Sequence, residues 1–569
     1  MAWLSPHSKI LTHEATTSLS WVLGKPQFIE AHLANTAIQK GNLAAWIEAV
    51  MHDAVGAASR VKGDFAVGLY LPDGRTFLAV DRFAIQTLCY RVVEGQLRFA
   101  ARADALADTP AAIDPQAIFD YLYFHVIPSP RTIYKDIYRL PPGHYALFEN
   151  GQLTVAPYWT PAFAETPNPD FPALQDEFKH LLRNAVARQL DGNKPACFLS
   201  GGTDSSTVVG MAALASGQPV ASYSIGFDVP GYDEMDFAQL AAQHFKTEHH
   251  AYYVTPDDLV QSIPKVAAYF DQPFGNSSAL PAYYCAKMAH EAGVNKLLAG
   301  DGGDELFGGN TRYAKTKVFG LYDTLPKVLQ KNLLEPLLGS RAASAWALTR
   351  KAASYVEQAR VPMPDRLQMY NLIMRLGPSE VLTPALLAYI DTASPLQLQR
   401  AVWHRAQDGS SLNRELAFDW RFTLAESDLP KVRGATGLAG IDVGFPLLDD
   451  DLLAFSLKLP TSYKLKGLQL RWFFKEALRS FLPDEIIRKK KQGFGLPFGV
   501  WAKSHPALKS LATASLNSLV ARHIIRADFV DTLLTRHLQE HPGYYGEMIW
   551  LLMMLEQWLQ HHAPVYRLT

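Results

Sequence analysis

Between residues 196 and 299 short apolar runs alternate with helical patterns, and that alternation restricts the fold more than any other feature of the chain. Residues 196–199, 220–227, 249–254 and 296–299 read as strands; 207–214, 234–245, 256–269 and 279–292 read as helices. Strands that return through helices build a parallel, doubly wound α/β sheet, whose ligands sit beyond the carboxyl ends of the strands. The first of these strands runs into Ser200-Gly201-Gly202-Thr203-Asp204-Ser205-Ser206 and then a helix. Two glycines let the backbone turn tightly and present N–H groups to an anion. The helix aims its positive end at the same point, and the serines add hydroxyl donors. Asp204 can hold a divalent cation. The GxxxxGK[ST] pattern of a Walker loop is absent. A glycine turn capped by serines, with nothing bound, is the plain alternative.

A second glycine-rich turn follows the strand at 296–299: Gly300-Asp301-Gly302-Gly303-Asp304-Glu305-Leu306-Phe307-Gly308-Gly309. Its carboxylates at a strand's carboxyl end suit Mg2+, which takes one or two protein oxygens and completes its shell with phosphate and water. A solvated acidic turn is the alternative, and a calcium loop fails on ligand spacing. Farther on, in Arg488-Lys489-Lys490-Lys491-Gln492-Gly493-Phe494-Gly495, Lys489 and Lys490 read as a solvated charge run. Lys491, beside the glycine-aromatic turn, reads as facing a polyphosphate or a developing oxyanion. His249-His250 has no second cluster at metal-ligand spacing, which favours a strand-edge or surface role. Trp550 and Trp558 read as core.

The first part of the chain is different. Residues 65–71 and 76–80, 89–93 and 96–100, and 145–148 and 152–155 form strand pairs around Pro72-Asp73-Gly74, Glu94-Gly95 and Asn150-Gly151. Helical patterns at 42–59 and 115–124 make this an α+β layered domain. Residues 160–172 carry four prolines and few apolar anchors, which sets a boundary between domains at 1–160 and 173–569. Beyond residue 315 the pattern is mostly helical. With 54 Lys+Arg against 55 Asp+Glu the chain lacks the positive excess of a phosphate-backbone binder, so no nucleic-acid partner is expected. The scattered Cys89, Cys197 and Cys285 indicate neither a disulfide framework nor a zinc site. The apolar run at 548–555 is far short of the ~20 residues of a membrane span, and no secretory signal is visible; a cytoplasmic protein is expected.

Taken together, these segments resemble the asparagine synthetase family. SGGTDSS at 200–206 looks like its nucleotide loop, and Tyr232-Asp233-Glu234 and Asp271-Gln272-Pro273-Phe274 resemble its YDE and DEPF segments, with Gln272 in place of Glu. GDGGDELFGG at 300–309 and RKKKQGFGLP at 488–497 are similar to further family motifs. GDFAVGLY at 63–70, DRFAIQTLCY at 81–90 and LPPGHY at 140–145 resemble its glutaminase domain. The resemblance implies an Ntn-hydrolase-like, glutaminase-like sandwich followed by an α/β PP-loop synthetase domain with extra helices. It implies ATP and Mg2+, activation of a carboxylate as an acyl-adenylate with release of pyrophosphate, and amide formation by an amine. By the same resemblance Ser200, Gly201, Gly202, Ser205 and Ser206 cradle the pyrophosphate and Asp204 and Asp304 hold magnesium. Lys491 stabilises negative charge, and Asp301 assists deprotonation of the amine.

Departures from the pattern narrow the expectation. The family's glutaminase nucleophile is a cysteine at position 2; here Ala2 stands there, followed by Trp3, and the nearest cysteine is Cys89. No convincing Asn-Gly-Glu glutamine motif is present, so the glutaminase-like domain reads as a remnant. Where the family carries LPRKVDRxSMAxSLEVRxPFLD this chain has LPKVRGATGLAGIDVGFPLLD at 429–449. Arg433-Gly434 and Gly444 replace an Asp-Arg pair and an arginine, which points to a roomier acceptor pocket than free aspartate needs. These features resemble the lasso-peptide macrolactam synthetases, which join a peptide Asp or Glu side chain to the peptide's own N-terminal amine. That resemblance implies a precursor-peptide substrate, with a leader-peptide protease and a leader-binding protein as partners; given a peptide substrate, the mostly helical stretch between residues 315 and 430 offers a groove for it. An asparagine synthetase-type ligase taking free ammonia or another amine is the alternative. β-Lactam synthetases fit less well, because they carry a tyrosine at the position of Asp301. A non-catalytic nucleotide-binding module and a tRNA-modifying enzyme are the remaining options.

Overall fold

The computed structural model describes residues 19–190, 192, 194–323, 355–406, 410–490 and 495–568. Ala2, Trp3 and Lys491, and much of the expected peptide groove, lie outside the described residues.

The N-terminal part is layered. A five-stranded antiparallel sheet has the order β1 (Trp21–Gly24), β2 (Phe65–Tyr70), β3 (Thr76–Val80), β7 (His144–Glu149), β8 (Gln152–Pro157). A three-stranded sheet has the order β5 (Gln96–Ala100), β4 (Cys89–Val93), β6 (Tyr138–Arg139). Helices α1 (Ala31–Lys40) and α2 (Asn42–His52) cover one face of the larger sheet over Trp46, Phe65 and Phe77. Its other face packs on the smaller sheet through Leu78, Val80, Leu97 and Phe99. Beyond that sheet lies α3 (Pro115–Phe124), which shares a core with Cys89. The hairpin turns form as their residues require: Glu94, Gly95, Asn150 and Gly151 all have positive φ, the backbone of a two-residue type I′ connection.

The second part is the doubly wound sheet. Its parallel strands run in the order β11 (Glu248–Tyr253), β10 (Ala221–Gly226), β9 (Ala196–Phe198), β12 (Lys296–Leu298), β13 (Asp442–Gly444). Helices α4 (Phe171–Gln189), α5 (Thr203–Ser216), α6 (Met235–Phe245), α7 (Pro256–Tyr269) and α8 (Ala279–Glu291) connect and flank them. The direction of winding reverses between β9 and β12, which pair at Cys197↔Leu298. A crevice opens at such a switch point, and here it receives both glycine-rich turns. Strand β13 falls within the 429–449 acceptor segment and at three residues has no periodicity that sequence could display. His249 and His250 lie on the edge strand, as expected: His249 Nδ1 lies 3.0 Å from Ser222 Oγ and His250 stacks on Tyr223.

The proline-rich connector is no loose tether. Ala164 and Thr166 donate backbone N–H groups to Leu457 and Lys458 of α11 (Asp450–Lys458), and Phe163 packs on Trp420. The two parts share a core as well. Tyr121 of α3 donates its hydroxyl to Leu551 O in α13 (Pro542–His562). In the same helix Trp550 and Trp558 are buried and donate to Gly275 O and Phe270 O. Arg139 grips Asp271 at 2.8 and 3.0 Å, so the Asp271–Phe274 segment joins the two parts. Burial opposes charge on Asp271, but Arg139 and Arg102 hold its carboxyl below the usual range. Among the described residues no helix is long and apolar enough to cross a membrane.

Candidate active site

Ser200 to Ser206 fold as a turn plus the first turn of a helix. Helix α5 begins at Thr203, four residues earlier than the hydrophobic pattern indicates, so Asp204, Ser205 and Ser206 are helical. The correction has a local reason: Gly202 takes the extended N-cap conformation, and an acidic residue is favourable in a first turn. Among the described residues no side chain caps this N-terminus, which leaves its N–H groups available to an anion. Ser205 Oγ ties the turn together, accepting from Ser200 N at 3.2 Å and donating to Gly202 O at 3.3 Å. Ser200 is exposed, whereas Ser206 is fully buried with a hydroxyl that has no hydrogen-bond partner among the described residues.

The second turn docks directly against the first. Gly303 opens the short helix α9 (Gly303–Phe307), and a Cβ there would lie 2.5 Å from Asp204 Oδ1. A Cβ at Gly309 would collide with the Asp304 carboxylate. Glycine at both positions is therefore what lets the two carboxylates approach. Trp420 Nε1 and Ser456 Oγ pin α9 by donating to Glu305 O and Leu306 O.

Asp204 and Asp304 converge on one cation, the guanidinium of Arg471. Its Nη1 lies 2.6 Å from both Asp204 oxygens and 2.8 Å from Asp304 Oδ1. Burial works against the charge on Arg471, but Asp204 and Asp304 more than offset it and its pKa is raised. Arg471 was missed in the sequence. It stands 267 positions from Asp204 in the turn between a small hairpin, β14 (Leu465–Lys466) and β15 (Gln469–Leu470), and α12 (Trp472–Ala477). Its backbone is left-handed (φ 53°), a feature that sequence does not display.

This donor set fits Mg2+. The two carboxylates already meet at a single cationic centre. Two carboxylates beside an uncapped helix N-terminus match an ion that completes its shell with phosphate oxygens and water.

Asp301 faces another group. Lys431 of α10 (Leu429–Ala439) approaches it at 3.5 Å and Asp428 at 2.9 Å. Burial pushes the Asp301 carboxyl up, and Lys431 only partly counters this. The expectation for Lys489 needs correction: its side chain is 8% exposed, pairs with Glu234 at 2.9 Å and donates to Gly201 O at 3.4 Å. It clamps the nucleotide turn, where a charge run read from sequence suggested solvent. Lys490 is exposed, as read.

The roomier acceptor pocket also fails at the glycines that suggested it. A Cβ on Gly434 would strike the Phe270 ring, and one on Gly444 would lie 2.7 Å from Gln189 Oε1 and 3.0 Å from Leu298 Cδ2. Neighbouring side chains already fill that space. An open cleft of about 590 Å3 lies instead past the carboxyl ends of β10 and β11, lined by Phe227, Asp228, Gly231, Asp233 and Tyr253. The thiol of Cys89 is fully buried and burial pushes it up to about 12, far from a reactive thiolate. Cys197 and Cys285 are buried and free as well.

Known proteins similar to this chain fall in one family. Residues 177–560 match the asparagine synthase family, and residues 45–159 match the glutamine amidotransferase domain. Glutamine-hydrolyzing asparagine synthetase 1 of Bacillus subtilis is 24% identical over 507 residues, covering 88% of this chain and 78% of its own. A putative asparagine synthetase of Mycobacterium bovis is 25% identical over 518 residues, covering 88% and 76%. A putative asparagine synthetase of Methanocaldococcus jannaschii is 31% identical over 265 residues, covering 45% of this chain and 51% of its own. With two thirds of its length matched and the two glycine-rich turns meeting at the switch point, the chain belongs to the asparagine synthase family.

Proposed function

We propose that the protein is an ATP-dependent amide-forming ligase that adenylates a peptide Asp or Glu side chain and closes a macrolactam with the peptide's N-terminal amine. The observation that carries the ligase reading is the meeting of Asp204 and Asp304 beside the uncapped start of α5. The turn from Ser200 to Ser206 would bind the β- and γ-phosphates through backbone N–H groups, with Ser206 Oγ as a buried donor in want of an acceptor. The cleft past β10 and β11 is of a size for the nucleoside. Asp204 and Asp304 would hold Mg2+, which neutralises phosphate charge when bound.

In the first step a substrate carboxylate oxygen bonds to Pα of ATP, the bond from Pα to the bridging oxygen breaks, and pyrophosphate leaves. In the second the amine nitrogen attacks the acyl carbon and AMP leaves. Asp301, at the carboxyl end of β12 and raised by burial, would take the proton the amine gives up. Lys491 would face the developing negative charge. Lys489 would keep the nucleotide turn in place through Glu234 and Gly201 O.

The amine source rests on the cysteines. All three are buried, which supports an amine delivered by the substrate itself over ammonia from glutamine. The names of the relatives favour a second reading, in which free ammonia and a small carboxylic acid are used. Product mass separates the two. Incubated with ATP, Mg2+ and a candidate precursor peptide, the enzyme should yield a peptide lighter by one water together with AMP and pyrophosphate. Asparagine formed from aspartate and ammonium, with the peptide untouched, would refute the cyclase reading.

A further inference from the structure

We infer that Arg471 is a built-in counter-ion that occupies the divalent-cation position until nucleotide phosphate draws it away, so that metal and nucleotide enter together and not metal first. The inference deepens the ligase reading and rests on it.

Arg471 is wedged into the site by backbone as well as charge. Its N–H donates to Gly308 O at 3.2 Å, and its Cδ lies close enough to Gly309 that a Cβ there would meet it at 2.8 Å. The side chain is 9% exposed and places one nitrogen on both oxygens of Asp204 and on Asp304. A divalent ion held by the same carboxylates would need the space and the lone pairs that this nitrogen uses. The two cations are therefore alternatives.

Arg471 has somewhere to go. Asp204 lies in the first turn of α5, so the guanidinium sits beside the N-terminus where phosphate oxygens would arrive. Arginine binds phosphate bidentately and strongly. Transfer from carboxylate to phosphate keeps its charge paired and releases the aspartates to the metal that accompanies the nucleotide. Competition of this kind is a coupling between two ligands through one residue, and it acts equally in both directions.

Two binding measurements that need no turnover test this. Mn2+ alone, followed by electron paramagnetic resonance, should bind the wild-type protein weakly and bind Arg471→Gln more tightly, by roughly 5–150-fold as is typical of site-to-site coupling. α,β-Methylene-ATP with EDTA present should move the opposite way, binding the wild type and losing at least roughly 10-fold in Arg471→Gln, as fits loss of a charge-assisted pair. Arg471→Lys, which keeps the charge, should leave Mn2+ binding weak and guards against a result due to misfolding. A fall in both affinities in Arg471→Gln, or tight Mn2+ binding by the wild type alone, overturns the counter-ion role. If the wild type binds no Mn2+·α,β-methylene-ATP and shows no ATP–pyrophosphate exchange, the ligase reading fails instead.

Discussion

At the scale of single residues the site is a problem of bringing like charges together. Asp204 and Asp304 come from turns 100 positions apart in the chain and repel unless a cation lies between them. Asp304→Asn removes one of the two charges while keeping the shape of the turn. ATP–pyrophosphate exchange should then fall by at least about 100-fold, the scale of several kcal/mol of metal-borne charge stabilisation, with the thermal midpoint little changed.

Lys464 gives a pH prediction. It is fully buried beneath Gly308, with its ammonium over the Phe163 ring at 5.0 Å and Asn413 Oδ1 at 3.5 Å. Burial pulls it down to about 7, and Glu165 only partly counters this. A lysine in the unfolded chain titrates near ~10.4. Between the two values the unfolded state holds a proton the folded state lacks, so stability should rise with pH from about 7 to about 10. Lys464→Met should flatten that slope and unfold at higher denaturant concentration at pH 7 than the wild type, as read by urea titrations across the window.

At this scale the sequence was legible where chemistry sits in a short motif, as at Ser200–Ser206 and 300–309. It was opaque where a partner is supplied from afar. Arg471 carries no motif of its own, and Lys489 looks like its solvated neighbour Lys490 until Glu234 is seen beside it.

At the scale of elements the periodicities were informative and their ends were not. The strands that the patterns mark, and helices α7 and α8, fall within a residue or two of them, whereas β1 and β6 show no pattern of their own. Helix α5 starts early because Gly202 and Asp204 favour a helix N-terminus where hydrophobicity is silent. Strand β13 and helix α1 escape notice for related reasons: β13 is too short to show a period, and α1 buries only Leu33.

The Asp271 segment belongs here too. It was read as part of a synthetase motif, and its visible work is to join the two parts through Arg139. Asp271→Ala would leave a buried guanidinium without its carboxylate, a loss of about 3–5 kcal/mol for breaking one side of a buried pair. Calorimetry should show a lowered thermal midpoint, and Asp271→Asn should recover part of it by keeping an acceptor for Ala103 N.

At the scale of the molecule the glutaminase-like part is a structural partner of the ligase part. Helix α3 lies in one core with α13, and the connector is bonded to α11. The boundary drawn at the prolines is visible in sequence, but the cohesion across it is not, because it depends on apolar faces that meet only after folding. A chain beginning at residue 161 should therefore expose the α13 face and be insoluble or aggregated, whereas the full chain should stay monodisperse. Sedimentation of the two chains distinguishes this from a remnant that can be removed without effect.

In the proposed reaction Asp204 and Asp304 share one metal with the phosphates of ATP. A crystal of the full chain grown with α,β-methylene-ATP and Mn2+, with anomalous differences measured above the manganese edge, addresses it most directly. The expected result is a peak between the two carboxylates, phosphates over the first turn of α5, and Arg471 turned onto the phosphate oxygens. A nucleotide and its manganese bound elsewhere, with the Arg471 bridge intact, would contradict it.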